Sequence, residues 1–206
     1  GRSTVEELLE IEGAAPGRWS PYAVTLAGGA PRDVAAVRRG DAAVQDEGSQ
    51  LVALALARAE LVGTDALWLD LAAGPGGKAG LLAGLARERG AALLAADRPV
   101  HRAALVRRTL DGAPGHHLVV AADACAGAWR PAAFDRVLLD APCSGLGVLR
   151  RRPEARWRRT PGDVADLAVL QRRMLDAALA AVRVGGVVGY VTCSPHLAET
   201  ELVVAD

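Results

Sequence analysis

Short apolar runs alternate with more polar segments along the chain from residue 46 onward. The runs are apolar almost throughout, which is typical of strands buried on both faces of a parallel sheet. They predict strands at residues 66–71, 91–97, 118–123, 136–141 and 187–193. The segments around them predict helices at residues 46–61, 79–88, 99–110 and 163–182, and a last one from about residue 197. This alternation predicts an α/β fold, with a mostly parallel sheet and helices on both faces.

Two predicted helix boundaries carry local signals. Ser49 is a candidate N-cap for the helix at residues 46–61, because its hydroxyl can accept a hydrogen bond from a free backbone N–H. Gly185 and Gly186 follow the helix at residues 163–182, and glycine commonly ends helices. We therefore predict that this helix stops before the glycine pair.

The chain before residue 46 has a different character. It is rich in glycine, proline and tryptophan, with a short helix predicted at residues 3–10 and a candidate strand at residues 22–26. Such a segment is too short to bury a core of its own. We therefore expect residues 1–45 to be an appendage of a main domain formed by residues 46–206.

Charge and cysteine content narrow the function classes. Basic and acidic residues both number 24, so the formal net charge is zero and only a local patch could attract nucleic acid. Three cysteines, none at zinc-ligand spacing, predict a reduced, cytoplasmic chain without a disulfide framework or a metal. No apolar run reaches the roughly 18 residues of a membrane span, so we expect no membrane segment.

Every predicted strand ends in a polar residue. In chain order these residues are Asp70, Asp97, Asp123, Asp140 and Cys193. Right-handed crossovers bring the carboxyl ends of parallel strands to one edge of the sheet, where open α/β sheets bind their ligands. We therefore predict a single ligand-binding edge.

A glycine-rich loop follows the first predicted strand, where residues 70–78 read D-L-A-A-G-P-G-G-K. Its spacing fits neither G-x-G-x-x-G nor a P-loop, so it is either a site for a nucleotide-like ligand or a tight structural turn. Asp97 lies about 20 residues further on, where an acid can bind ribose hydroxyls or simply cap the next helix. Asp123 allows the same two interpretations.

Two cysteines fall on the predicted edge. Cys143 follows Pro142 in a turn, and Cys193 lies at a strand end. Either could be an inert, small apolar residue, which is what we expect of Cys125. Their common position favours a second interpretation, in which a thiolate acts as a nucleophile.

An arginine-rich segment at residues 150–159 surrounds Trp157. Charged runs are usually solvated surface, but guanidinium groups also bind phosphates in pairs of hydrogen bonds and tryptophan can stack on a base. The candidate RNA contacts in this segment are Arg150, Arg151, Arg152, Arg156 and Trp157.

Together these motifs resemble the RNA cytosine-C5 methyltransferases of the bacterial 16S rRNA type and their NOL1/NOP2/Sun relatives. The glycine loop is similar to their D-x-C-A-A-P-G-G-K loop, although Ala72 stands for the usual cysteine and Gly74 for an alanine. Residues 140–145, followed by R-x-P-E-x-x-W, resemble their proline-cysteine motif. Residues 190–195, with Glu199 beyond, resemble their threonine-cysteine-serine motif, and residues 45–50 resemble a helix start of that family.

The resemblance implies a Rossmann-like, class I fold that binds S-adenosylmethionine, here as a catalytic-domain fragment without its last strands. It implies that Cys193 adds to C6 of cytosine, and that Cys143 assists breakdown of the adduct. Asp140 would contact the ring near N3 or N4, and Lys78 would orient the base or the cofactor. The implied cofactor contacts are Asp70, Ala72, Ala73, Gly74, Pro75, Gly76, Gly77, Lys78, Asp97, Arg102, Asp123 and Asp140.

Within that set, the glycines would lie near the methionine end, Asp97 at the ribose and Asp123 at the adenine amino group. The substrate would be an unpaired or flipped-out cytosine, since a stacked base is unreachable. We expect 16S rRNA as the substrate and a monomeric protein. Alternatives are the same chemistry on tRNA or large-subunit rRNA, and a non-catalytic RNA-binding or ribosome-assembly protein. A nicotinamide-dependent dehydrogenase does not fit, because the glycine spacing differs and both cysteines would be unexplained.

Overall fold

The computed structural model describes residues 4–113, 115–151 and 153–205. Its first part consists of short elements: helix α1 (Thr4–Leu9), strands β1 (Ala15–Pro16) and β2 (Val24–Thr25), and helix α2 (Ala35–Arg39). The two strands pair antiparallel. The segment is attached to the helix that follows, because Ser20 is buried and its hydroxyl donates to Gln50 Oε1 at 2.6 Å.

The remaining described residues form alternating strands and helices. The strands are β3 (Leu67–Asp70), β4 (Ala92–Asp97), β5 (His116–Ala121), β6 (Phe134–Asp140) and β7 (Val182–Val191). The helices are α3 (Glu47–Arg58), α4 (Gly77–Glu88), α5 (Val100–Leu110), α6 (Ala155–Arg158), α7 (Pro161–Ala181) and α8 (Glu201–Ala205). The sheet order is β5-β4-β3-β6-β7, and every neighbouring pair is parallel.

This strand order creates a switch point between β3 and β6. The chain runs outward from β3 through β4 to β5, and then returns to the other side of β3 to build β6 and β7. The connections after β3 and β6 therefore lead away in opposite directions and leave a crevice at their carboxyl ends. Ligands of open α/β sheets bind in such a crevice.

Two apolar layers lie on the two faces of the sheet. Successive strand residues point to opposite faces: Trp68 packs with α3, α4 and α5, and Leu69 packs with α7. The helices contribute mainly alanine and leucine on both sides, such as Leu82 and Ala178. The predicted α/β fold with helices on both faces is confirmed.

The residues predicted to set two helix boundaries are wrong. Asp46, not Ser49, caps α3, with its carboxylate accepting from Gly48 N at 3.4 Å. Helix α7 ends at Ala181 and the chain enters β7 at once, so the glycine pair lies within the strand. Gly185 has a φ of 81°, the left-handed conformation that also ends helices; here it accompanies an irregular register between β6 and β7. Helix α7 thus stops before the glycine pair, as predicted, but the pair does not end it.

Candidate active site

The glycine loop joins the end of β3 to the start of α4 and is packed too closely for side chains. A Cβ on Gly74 would lie 2.5 Å from Asp97 Oδ2, and one on Gly76, whose φ is 116°, would lie 2.7 Å from Thr109 Oγ1. The alanine expected by family resemblance at position 74 would therefore clash with Asp97 as it lies here. Glycine lets the backbone pass directly over β4 and α5.

Asp97 and Arg102 hold this loop in place. Asp97 is buried, and its Oδ2 accepts from Gly74 N at 2.8 Å and from Arg102 Nε at 3.1 Å. Arg102 also donates from Nη2 to Gly74 O at 2.6 Å. Both predicted cofactor residues thus lie at the loop, and their contacts here are with its backbone.

Asp70, at the end of β3, is a buried carboxyl group with a raised pKa. It is 1% exposed, and within the described part of the chain neither of its side-chain oxygens has a hydrogen-bond partner. Burial, and then the nearby charge of Asp140, raise its pKa to about 7. The Asp70 carboxyl group can accept hydrogen bonds from a ligand, and the neighbouring glycine loop and N-terminus of α4 offer backbone N–H groups. This combination fits a ligand with polar groups, such as S-adenosylmethionine.

The remaining predicted cofactor residues surround these groups. Ala73 is buried and bonds through its N–H to Ala96 O at 2.9 Å, while Ala72 and Pro75 lie in the same loop. Asp123 lies two residues beyond β5, where its Oδ1 accepts from Cys125 N at 2.9 Å and its Oδ2 is 3.5 Å from Arg98 Nε. The capping role that the sequence left open for Asp123 is therefore present, and its adenine contact stays a prediction.

The two edge cysteines meet. Their Sγ atoms are 3.3 Å apart, because β6 and β7 are neighbours and both cysteines lie just beyond the strand ends. The hydrogen bond from Cys143 lowers the pKa of Cys193 to about 6, against the opposing effect of burial. The same contact, with burial, raises the pKa of Cys143. Either sulfur can donate in this contact; the two pKa directions and the greater exposure of Cys193 favour Cys193 as the thiolate.

An ion pair connects the thiols to the glycine loop. Lys78 Nζ, in the first turn of α4, lies 2.8 Å from Asp140 Oδ2 at the end of β6. Both residues act on the pKa of Cys193: Asp140 raises it, and Lys78 lowers it by a smaller amount. The predicted catalytic residues Cys193, Cys143, Asp140 and Lys78 therefore form one cluster.

Glu199 is a buried carboxylate close to the two cysteines, and the sequence indicated it only as part of the motif at residues 190–199. Glu199 is 0% exposed and accepts from Ser144, Ser194 and Gln171. None of these three donors is among the site residues predicted from the sequence. Ser144 and Ser194 could have been found from the sequence, because each directly follows one of the two edge cysteines.

The arginine-rich segment lies on the surface beside this cluster. Arg150 is exposed, and Trp157 is 81% exposed with the Arg156 guanidinium 5.2 Å from its ring centre. Arg151 is paired with Asp46 at 2.8 Å, at the start of α3. The predicted contact Arg152 lies outside the described residues.

One protein family model matches most of the chain. Residues 55–206 match the family model described as 16S rRNA methyltransferase RsmB/F. The chain belongs to the RsmB/F family. Its two cysteine motifs and the glycine loop all lie inside the matched range.

Relatives of known sequence agree with this assignment. The Mycobacterium tuberculosis protein Rv1407, which carries a provisional methyltransferase name, is 55% identical over 206 residues, 100% of this chain and 44% of its own length. Ribosomal RNA small subunit methyltransferase B of Shewanella oneidensis is 39% identical over 191 residues, 90% of this chain and 42% of its own length. The chain thus spans less than half the length of these relatives.

Solved structures show the same fold. The protein PH0851 superposes with a TM-score of 0.87 at 27% identity, covering 98% of this chain and 46% of PH0851. NSun6 from Pyrococcus horikoshii, solved with SFG, superposes with a TM-score of 0.73 at 30% identity, covering 84% of this chain and 44% of its own.

Family membership confirms two expectations, the Rossmann-like methyltransferase fold and S-adenosylmethionine as the cofactor. Among the described residues, no helix is both long and apolar enough to cross a membrane. The same residues contain no group of three or more side chains suited to hold a metal ion.

Proposed function

We propose that this RsmB/F chain is the catalytic part of an enzyme that methylates C5 of a cytosine in 16S rRNA. The observation that carries the proposal is the thiol pair, 3.3 Å apart, beside the Lys78–Asp140 ion pair at the switch-point edge. A non-catalytic RNA-binding protein has no need for one thiolate and one thiol in contact. A thiol-dependent nucleic-acid methyltransferase needs a nucleophile and a proton-bearing partner close to it.

The first step uses the Cys193 thiolate. C5 of cytosine is a weak nucleophile. As the thiolate forms a bond to C6, the π electron pair of the C5–C6 double bond moves onto C5, which can then attack the methyl group. Because the pKa of Cys193 is lowered to about 6 by the Cys143 hydrogen bond, this thiolate is already present near neutral pH. When bound, S-adenosylmethionine supplies the electrophilic methyl group that C5 accepts.

Asp140 and Lys78 would prepare the base for this addition. Asp140 would contact the ring near N3 or N4, and a proton that it shares with N3 during the attack would make C6 more electrophilic. Lys78, bonded to Asp140 at 2.8 Å, holds that carboxyl in position and can orient the base. Both groups are only partly exposed, so their charges act through a medium less polar than water.

The last step releases the product. Loss of the C5 proton to solvent returns its electron pair to the C5–C6 bond and expels the Cys193 sulfur. The Cys143 thiol, 3.3 Å away, can donate a hydrogen bond to that sulfur as the S–C6 bond breaks. This assignment makes Cys193 the residue that starts the reaction and Cys143 the residue that ends it.

The cofactor and RNA contacts extend the proposal to neighbouring residues. Gly74, Gly76 and Gly77 would lie along the methionine end, with Asp97 at the ribose and Asp123 at the adenine. Exposed arginines beside the thiols would bind phosphates, and Trp157 offers an exposed ring on which a base can stack. An unpaired cytosine could then reach the edge of the sheet.

The experiment that tests this function compares two cysteine variants on ribosomal RNA. Cys193→Ala should abolish methyl transfer and adduct formation while S-adenosylmethionine binding survives. Cys143→Ala should accumulate a covalent RNA–protein adduct that migrates as a shifted band on a denaturing gel. Cys125→Ala is the matched control, since Cys125 makes its described hydrogen bond through its backbone, away from the thiol pair. Full activity of Cys193→Ala would overturn the proposal.

A further inference from the structure

Glu199 is a fully buried carboxylate held by neutral donors. It closes a short 3-10 turn at Leu197–Glu199 and is 0% exposed. It accepts from Ser144 N at 2.7 Å, from Gln171 Nε2 at 3.1 Å, and from the hydroxyls of Ser144 and Ser194. Burial alone would raise the pKa of Glu199, but these hydrogen bonds lower it below the usual range. Glu199 is therefore an ionised carboxylate that accepts hydrogen bonds from several donors at the same time.

The donors lie next to the two thiols in the sequence. Ser144 directly follows Cys143, and Ser194 directly follows Cys193. The two serine oxygens lie 3.1 Å apart, and the single proton of each hydroxyl is directed to Glu199. One carboxylate thus fixes the backbone beside both cysteines, which belong to loops 50 residues apart in sequence.

Two further contacts extend the network. Gln171, on α7, donates both to Glu199 and to Pro142 O at 2.8 Å, so Cys143 has an anchored residue on either side. Tyr190, near the end of β7, donates from its hydroxyl to Glu199 O at 2.8 Å, which holds the turn itself against the strand. The arrangement leaves the two cysteine loops little freedom to separate.

Resting on the proposed function, we propose that Glu199 is a positioning residue that joins the two cysteine loops and keeps the two thiols in contact. Glu199 does not reach the reacting atoms; it acts through Ser144 and Ser194. A glutamine at this position would turn an NH₂ group toward donors and leave part of the network unpaired. The loops would then separate, and the thiolate of Cys193 would lose its hydrogen bond from Cys143.

The test measures thiol ionisation directly and needs neither RNA nor cofactor. In the folded protein, the rate of iodoacetamide alkylation of Cys193 is followed against pH by mass spectrometry of its peptide. Wild type should show a midpoint near 6, the pKa that the Cys143 hydrogen bond produces. Glu199→Gln should move the midpoint toward that of a free thiol, which lowers the alkylation rate at pH 7 roughly 30-fold.

A second buried carboxylate provides the matched control. Asp135 accepts from the backbone N–H groups of Ala66 and Leu67, each at 2.8 Å, at the opposite edge of the sheet. Asp135→Asn should lower the melting temperature without moving the Cys193 midpoint. Ser194→Ala removes a single donor, keeps the carboxylate and should move the midpoint in the same direction by less, which provides the test if Glu199→Gln does not fold.

An unchanged midpoint in folded Glu199→Gln, or in Ser194→Ala where the first variant does not fold, overturns the positioning role. A midpoint that shifts equally in Asp135→Asn shows a general effect of destabilisation and overturns it as well. Loss of the proposed cytosine chemistry would be seen in the cysteine variants on RNA, independently of this titration. The two proposals can therefore fail separately.

Discussion

At the scale of single residues, Gly147 records how closely the two cysteine loops approach. Its N–H donates to Cys193 O at 2.9 Å, and a Cβ at this position would lie 2.7 Å from the same oxygen. A flexible side chain could rotate away from such a contact, but a backbone carbonyl cannot. Any larger residue at position 147 must therefore displace the Cys193 carbonyl. The position of Cys193, the proposed nucleophile, therefore depends on the absence of a side chain at Gly147 in the other loop.

We predict that Gly147→Ala lowers the methyl-transfer rate by about 100-fold, the order of effect of a misplaced reacting group. Single-turnover kinetics on RNA measures it. Gly84→Ala is the matched control, because it lies in α4 with no atom near the added methyl group. It should stabilise the helix by about 0.5–1 kcal/mol and leave the rate unchanged. Equal rates for wild type and Gly147→Ala would contradict the prediction.

The buried carboxyl group of Asp70 should make the stability of the protein depend on pH. Burial raises the pKa of Asp70 from 3.8 to about 7, so the folded state keeps a proton that the unfolded chain releases. Between about pH 4 and 7 this group therefore costs stability as pH rises, by about 1.4 kcal/mol per pH unit. Above pH 7 the cost is constant.

Asp70→Asn should remove that dependence, because an amide does not titrate. The free energy of unfolding of the variant relative to wild type should rise between pH 4 and pH 7. Urea unfolding without cofactor, at several pH values, measures the difference. A difference that is constant across this range would show that Asp70 keeps an ordinary pKa in the folded protein.

At the scale of elements, α7 has the clearest start signal in the molecule. Thr160 and Asp163 form a reciprocal capping box, with Thr160 N donating to Asp163 Oδ2 at 2.7 Å and Asp163 N to Thr160 Oγ1 at 3.3 Å. Pro161 follows at the first helical position. The helix predicted at residues 163–182 begins two residues earlier for this reason.

Thr160→Ala should destabilise the protein by about 1 kcal/mol, the usual cost of losing an N-cap. Chemical denaturation measures it. Ser49→Ala is the contrasting variant, since Asp46 is the residue that caps α3, and it should change stability little. A larger loss from Ser49→Ala than from Thr160→Ala would mean that the two caps have been assigned wrongly.

At the scale of the whole molecule, zero net charge conceals a basic segment beside the candidate active site. Arg159 Nε donates to Ser144 O at 3.2 Å, and Arg151 is paired with Asp46 at the start of α3. The exposed Arg156 lies between these two attachments in sequence, and the exposed Arg150 directly precedes Arg151. An RNA strand that follows the segment would thus be led to the thiols.

Replacing Arg150 and Arg156 by glutamine should weaken RNA binding and flatten its salt dependence by about 0.7 in the log–log slope for each lost phosphate contact. Fluorescence anisotropy over a range of KCl concentrations measures the slope. Arg58→Gln, at the far end of α3, is the control and should leave the slope unchanged. An identical slope in the double variant would remove these arginines from the RNA path.

The sequence by itself determined the fold class and the chemistry of the edge. A strand covered on both faces must be apolar throughout, so five such runs implied a parallel sheet, and their polar ends implied one ligand-binding edge. Local pattern placed the carboxyl ends of the strands within two residues, but it placed the start of β7 five residues too late. It misplaced the glycine pair, because Gly185 needs the same left-handed backbone in a strand as at a helix end.

Only the tertiary structure decided which residues meet. The 3.3 Å contact between Cys143 and Cys193, the bond from Asp97 to Gly74, and the Glu199 network all join residues far apart in sequence. Hydrogen bonds and thiol ionisation depend on distances of a few ångströms, which follow from how β6, β7 and α7 pack and not from spacing along the chain. Two cysteines 50 residues apart in sequence became a pair of thiols 3.3 Å apart only through that packing.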